Sequence, residues 1–119
     1  MATPRSKKTL TTVVCNYRVK KGKEAAFEKL LSRHWPTLNK AGLVKGDPSV
    51  IYRGTDETKG RFYVEIFTWK DAKAPTLAHH SKEVMAVWEP MGACMEARGG
   101  RPPMEFPQVQ LAKIKLAKV

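Results

Sequence analysis

The sequence predicts an α+β fold of the ferredoxin-like βαββαβ type with one antiparallel sheet, and three observations carry that reading. Two stretches, 9–19 and 61–69, alternate in the period of a β-strand and are rich in β-branched and aromatic residues. Two others, 24–41 and 81–95, repeat apolar residues at the three- and four-residue spacing of a helix with one buried stripe. Taken along the chain with the shorter runs, the order is strand, helix, strand, strand, helix, strand, which is the split βαβ arrangement. The 119 residues, 42% of them hydrophobic, fit a single packed domain.

Residues 1–8 are polar and basic through Arg5, Lys7 and Lys8, and a disordered tail is expected there, ahead of one domain over 9–119. In the first strand Val13, Cys15, Tyr17 and Val19 share one face, with Val14, Asn16 and Arg18 on the other. Lys20, Lys21 and Gly22 make a turn. Ala26, Phe27, Leu30, Leu31, His34 and Leu38 then mark a helix. Pro36 costs about 3 kcal/mol inside a regular helix, so a kink or break near Trp35 is expected before Ala41 and Gly42 close the element.

Gly46, Asp47 and Pro48 predict a loop over 43–49, followed by a short strand at 50–53 and a hairpin connection over 54–60. The strand at 61–69 carries Phe62, Val64 and Ile66 on one face and Tyr63, Glu65, Phe67 and Trp69 on the other. Large apolar groups on both faces predict cover on both sides, helices against one and something else against the second. Asp71 caps a short helical turn that Pro75 starts, and Ser81 is the N-cap of a longer helix with Val84, Val87, Trp88, Met91, Cys94 and Met95 on its apolar face. Pro90 should bend that helix. After a turn over 99–103, alternation around Val109, Leu111 and Ile114 predicts a closing strand.

The composition narrows the function classes. The formal net charge is +11, but Arg5, Lys7, Lys8, Lys113, Lys115 and Lys118 lie close to the termini and no arrangement of aromatic with basic residues resembles a nucleic-acid-binding signature, so no specific nucleic-acid partner is expected. Asn16 and Arg18 interrupt the first apolar run too early for a signal peptide, and no stretch has the length of a membrane span, so the expectation is a cytoplasmic protein without a membrane partner. Cys15 and Cys94 sit in apolar-patterned segments without ligand spacing, which predicts buried thiols. Without a glycine-rich phosphate loop or a cluster of Cys, His, Asp and Glu, the sequence predicts neither a nucleotide cofactor nor a metal site.

The runs V-V-C-N-Y-R-V-K-K-G-K-E-A-A-F-E-K-L-L, F-Y-V-E-I-F-T-W-K-D and A-H-H-S-K-E-V-M-A-V-W-E-P-M resemble the antibiotic biosynthesis monooxygenase family over most of the chain, from about Thr11 to Ile114. The resemblance implies a homodimer in which two ferredoxin-like sheets face one another as a dimeric α/β barrel, with a pocket in each subunit between sheet and helices. It implies a cofactor-independent monooxygenase that oxidises a small phenol- or quinol-type aromatic with O2; the alternative is a non-catalytic small-molecule-binding dimer of the same fold. Haem-degrading relatives use an Asn on the first strand, a Trp after the third and a His on the long helix. Asn16 is a candidate for the first of these, but the expected Trp falls near Ala78 and the expected His near Trp88. An indole cannot ligate iron, so haem as a cofactor is disfavoured and none is expected.

The oxygenase chemistry asks for a base, aromatic walls and donors that hold a phenolate. An imidazole, with its ordinary pKa of about 6.5, suits the base. The residues of those types are His79, Asn16 and Trp69 as catalytic candidates, with Tyr17, Trp88, His80 and Met85 as substrate-binding candidates. A plainer reading stands beside them: Trp69 and Trp88 as core or interface anchors, Met85, Met91 and Met95 as packing, and His34 and Trp35 as packing around Pro36.

Overall fold

The computed structural model describes residues 11–119; the expected basic tail and the start of the predicted first strand lie outside them. Strand β1 (Thr12–Arg18) is followed by helix α1 (Glu24–Lys40), the hairpin of β2 (Val44–Thr55) and β3 (Arg61–Trp69), helices α2 (Ala74–His79) and α3 (Lys82–Ala93), and two short strands, β4 (Met104–Glu105) and β5 (Gln108–Val109). The sheet order is β2-β3-β1-β4, with β5 also on β1, and every pairing is antiparallel. Because β3 lies between β1 and β2, the α+β fold is the predicted split βαβ.

The two central strands alternate as expected. Val13, Cys15 and Tyr17 of β1 face Phe67, Glu65 and Tyr63 of β3 in direct register, and all six are buried beneath the helices. α1 lays Phe27, Leu31, His34 and Leu38 on this face, and α3 adds Val84, Val87 and Met91. α1 and α3 pack against each other. Ser81 caps α3 by accepting the Val84 N–H at 3.2 Å, and Asp71 caps α2 by accepting the N–H groups of Lys73 and Ala74 at 2.9 and 3.0 Å. Gly42 follows the α1 C-cap with φ 74°, a left-handed conformation that glycine adopts without steric cost.

Three expectations are corrected. α1 does not break at Pro36: the helix is continuous to Lys40. Pro36 and Ser32, whose carbonyl loses its helical partner, both lie on the exposed side, where water can take that bond. The loop predicted over 43–49 belongs to β2: Val44 and Lys45 pair with Trp69 and Thr68, an irregularity takes up Gly46, Asp47 and Pro48, and pairing resumes at Val50 with Ile66. The closing strand is two short pieces that stop at Val109, and Leu111 and Ile114 are exposed outside any strand. Pro103 and Pro107 can accept from β1, through the N–H groups of Arg18 and Val14 at 2.8 and 2.9 Å, but neither can donate in return.

Among the described residues, no helix lies on the opposite face of the sheet. Val14, Val64, Ile66 and Phe62 are half-buried there, and Val50 and Tyr52, in register with Ile66 and Val64, are exposed. Among the described residues no helix is long and apolar enough to cross a membrane. Cys15 and Cys94 are buried free thiols.

Candidate functional site

Between the sheet and α2–α3 lies a cavity of about 360 Å³, within the size range of small-molecule sites. The sheet supplies Val13, Cys15, Tyr17, Phe67 and Trp69, and the Phe67 and Trp69 rings meet edge to face at 5.1 Å between centroids. α3 supplies Met85, Trp88, Glu89 and Met91, α2 supplies Pro75 and His79, and the C-terminal segment closes one side with Met104, Phe106 and Gln108. The walls are mainly hydrocarbon, aromatic ring and thioether, which suits a flat apolar ligand.

Polar groups enter this wall as one connected chain. The Trp88 indole N–H donates to His34 Nε2 at 2.8 Å, His34 Nδ1 bonds Glu65 Oε1 at 2.8 Å, and the Tyr17 hydroxyl donates to the same Glu65 oxygen at 2.7 Å. An indole N–H can only donate, so Nε2 is the accepting nitrogen of His34 and its Nδ1 carries the proton that Glu65 accepts. Local sequence places each member. His34 extends the Phe27–Leu31 stripe of α1, Glu65 takes the helix-facing register of β3, and Trp88 lies one turn beyond Val84 on α3. Glu65 is wholly buried, and its second oxygen, Oε2, has no hydrogen-bond partner among the described residues. Burial first, then the neighbouring Cys15 and Glu65, pushes the Tyr17 phenol well above its ordinary value, so it stays a donor. Burial, and secondarily Glu65, likewise holds Cys15 as a thiol.

The predicted site residues divide. His79, Trp69, Tyr17, Trp88 and Met85 all line the cavity. His79 is exposed at the mouth, its ring 4.8 Å from that of Trp88. Asn16 and His80 stand outside and are corrected. Asn16 is on the helix-free face, because alternate strand residues point to opposite sides, and its side chain turns back to the Val14 carbonyl. His80 caps the C-terminus of α2 about 100° around the helix from His79 and is exposed. The polar wall residues that the sequence reading did not offer as site candidates are His34 and Glu65. Their signal was available: each is a lone polar side chain on an otherwise apolar stripe, and two buried polar groups need partners. Among the described residues no group of three or more His, Cys, Asp or Glu is placed to hold a metal ion.

No protein-family model matches the sequence, and no curated protein matches it. Solved structures do match the fold. A crystal structure of an antibiotic biosynthesis monooxygenase superposes with a TM-score of 0.62 at 12% identity, covering 86% of this chain and 98% of the other. SnoaB from Streptomyces nogalater, described as a cofactor-independent oxygenase, gives 0.58 at 19% identity over 87% of this chain and 94% of its own. Rv0793 from Mycobacterium tuberculosis gives 0.57 at 13% identity over 91% and 98%. At these identities the likeness is one of fold. The resemblance read from the sequence is thus met in three dimensions: the chain has the α+β fold of the antibiotic biosynthesis monooxygenases, with its cavity on the helix-covered side of the sheet.

Proposed function

We propose that this protein is a cofactor-independent monooxygenase that oxidises a small phenol- or quinol-type aromatic with O2. The observation that carries the reading is the aromatic-walled cavity with the Trp88–His34–Glu65–Tyr17 chain in its wall. The fold shared with SnoaB supports it. A phenol whose ring takes up one oxygen atom and becomes a quinone supplies four electrons, and O2 takes all four, so the second oxygen leaves as water without an outside reductant. A protein has to hold the ring, take the hydroxyl proton and keep bulk water out. Phe67 and Trp69 form the floor for the ring, Tyr17, Met85 and Trp88 fit its sides, and His79 meets it at the mouth. Asn16 has no part in this site.

The working unit is a homodimer. The helix-free face presents Val14, Val64 and Ile66 with Val50 and Tyr52 at its edge, an apolar surface that a second copy's sheet would cover.

The test is 1-naphthol under 18O2. One O2 consumed per 1,4-naphthoquinone formed, with a single labelled oxygen in the product, is the expected result. Trp69→Phe and His79→Ala should each slow it, because each removes ring surface that holds the substrate in place. Saturable binding with no oxygen uptake would replace the enzyme by a non-catalytic binding dimer.

A further inference from the structure

His34 is 3% exposed and lines the cavity, with one nitrogen committed to a wholly buried carboxylate and the other turned to the cavity-lining Trp88. The carboxylate fixes the tautomer: with the proton on Nδ1, the lone pair of Nε2 is directed away from Glu65, toward α3. Glu65 is suited to this, because it brings a carboxylate into the core with one oxygen shared by Tyr17 and His34.

We propose that His34, oriented by Glu65, is the proton acceptor for a ring hydroxyl entering this cavity, and that the Trp88 indole N–H holds the same seat until the ligand arrives. The proposal rests on reading the cavity as a site for aromatic hydroxyl compounds. When the hydroxyl displaces the indole, its O–H bond breaks, an N–H bond forms at Nε2, and the electron pair stays on the oxygen. The products are a phenolate in the cavity and an imidazolium beside Glu65, with the total charge unchanged. During turnover that proton goes to the oxygen that departs as water. His34 is then the catalytic base, Glu65 and Tyr17 are positioning residues, and Trp88 selects for ligands able to replace its N–H.

The experiment uses 4-nitrophenol, whose neutral and ionised forms absorb at different wavelengths, with 4-nitroanisole as the analogue that has no proton to give. At a pH where the free phenol is mostly neutral, the wild-type protein should bind it with the phenolate spectrum. His34→Gln should retain 4-nitroanisole affinity within a few-fold while the bound phenolate fraction falls roughly tenfold or more. Glu65→Gln should lower that fraction with the fold intact. Trp88→Phe, which removes the competing donor, should tighten 4-nitrophenol several-fold relative to 4-nitroanisole.

A phenolate spectrum unchanged in His34→Gln, or lost in His79→Gln instead, overturns the proposal. So does a wild-type protein that binds the probe only in its neutral form or not at all. If His34→Gln fails to fold, 15N-histidine spectra of the wild type decide: Nε2 of His34 gains a proton with 4-nitrophenol and not with 4-nitroanisole, or the proposal fails. Proton transfer without naphthol oxidation would strike the oxygenase reading and leave this one. Naphthol oxidation at the wild-type rate in His34→Gln would do the reverse.

Discussion

Two carboxylates, Asp56 just before β3 and Glu65 at its middle, are satisfied in different ways. Asp56, in the β2–β3 turn, uses both oxygens. Oδ1 accepts from the Thr58 amide at 2.9 Å, the Thr58 hydroxyl at 2.6 Å and the Gly60 amide at 3.1 Å, while Oδ2 accepts from Arg98 Nε at 2.9 Å. Glu65, in the core, collects Tyr17 and His34 on one oxygen and, among the described residues, nothing on the other. Where a carboxylate only braces the fold, water and flexible backbone are at hand to complete its bonds. A wholly buried one with a free oxygen costs stability, and such costs concentrate where a protein does chemistry.

Removing the core carboxylate is the strongest way to break that contrast. Glu65→Leu leaves the Tyr17 hydroxyl and the His34 Nδ1–H buried with no acceptor. Each unsatisfied donor costs about 1–3 kcal/mol, so a loss on the order of 3 kcal/mol is expected in urea unfolding. Glu65→Gln keeps an oxygen at the same place and should lose less than half as much. Equal losses would mean that the charge, rather than the acceptor, holds the network.

Next in size is Arg98→Ala. Arg98 is half-buried and joins the turn to the sheet, bonding Asp56, the carbonyls of Val19 and Arg61, and Glu96. Losing these charge-assisted bonds should cost about 2 kcal/mol in the same assay, without altering 4-nitrophenol ionisation in the cavity. A change in that ionisation would join the two regions that the contrast separates.

The two carboxylates also differ in how far the sequence discloses them. Local patterns are legible: alternation yields β1 and β3, and the spacing of Phe27, Leu31, His34 and Leu38 yields the buried face of α1. Ser81 announces its cap because the bond it makes is three residues away. The first part of β2 is hidden by Gly46, Asp47 and Pro48, which read as a loop although pairing continues on both sides of them, and β4 and β5 are too short to show a period. The site is hidden for a different reason. His34 is 31 positions from Glu65 and 54 from Trp88, and only the packing of α1 and α3 over β3 joins them. The aromatic wall residues were legible by chemical type, whereas the polar chain needed the fold.

The pH dependence of stability is tested by Asp56→Asn, which costs most near neutral pH and least in acid. The Thr58 hydroxyl, then the Arg98 guanidinium and the amides of Gly60 and Thr58, hold the Asp56 carboxyl well below its ordinary value. The folded state therefore binds that proton less readily than the unfolded chain. Stability from Asp56 is fully present above the ordinary carboxylate value and drains away as pH falls toward the folded one. Glu105, held low by Arg18 and Arg101, and Glu28, held low first by the Tyr63 hydroxyl, act in the same direction. The urea midpoint of the wild-type protein should thus fall as pH drops from about 5 to about 2. Asp56→Asn should make that fall shallower without abolishing it, since the two glutamates keep their share. An unchanged slope would mean that the unfolded chain retains the Asp56–Thr58 turn, because a bond present in both states leaves no trace in the pH dependence.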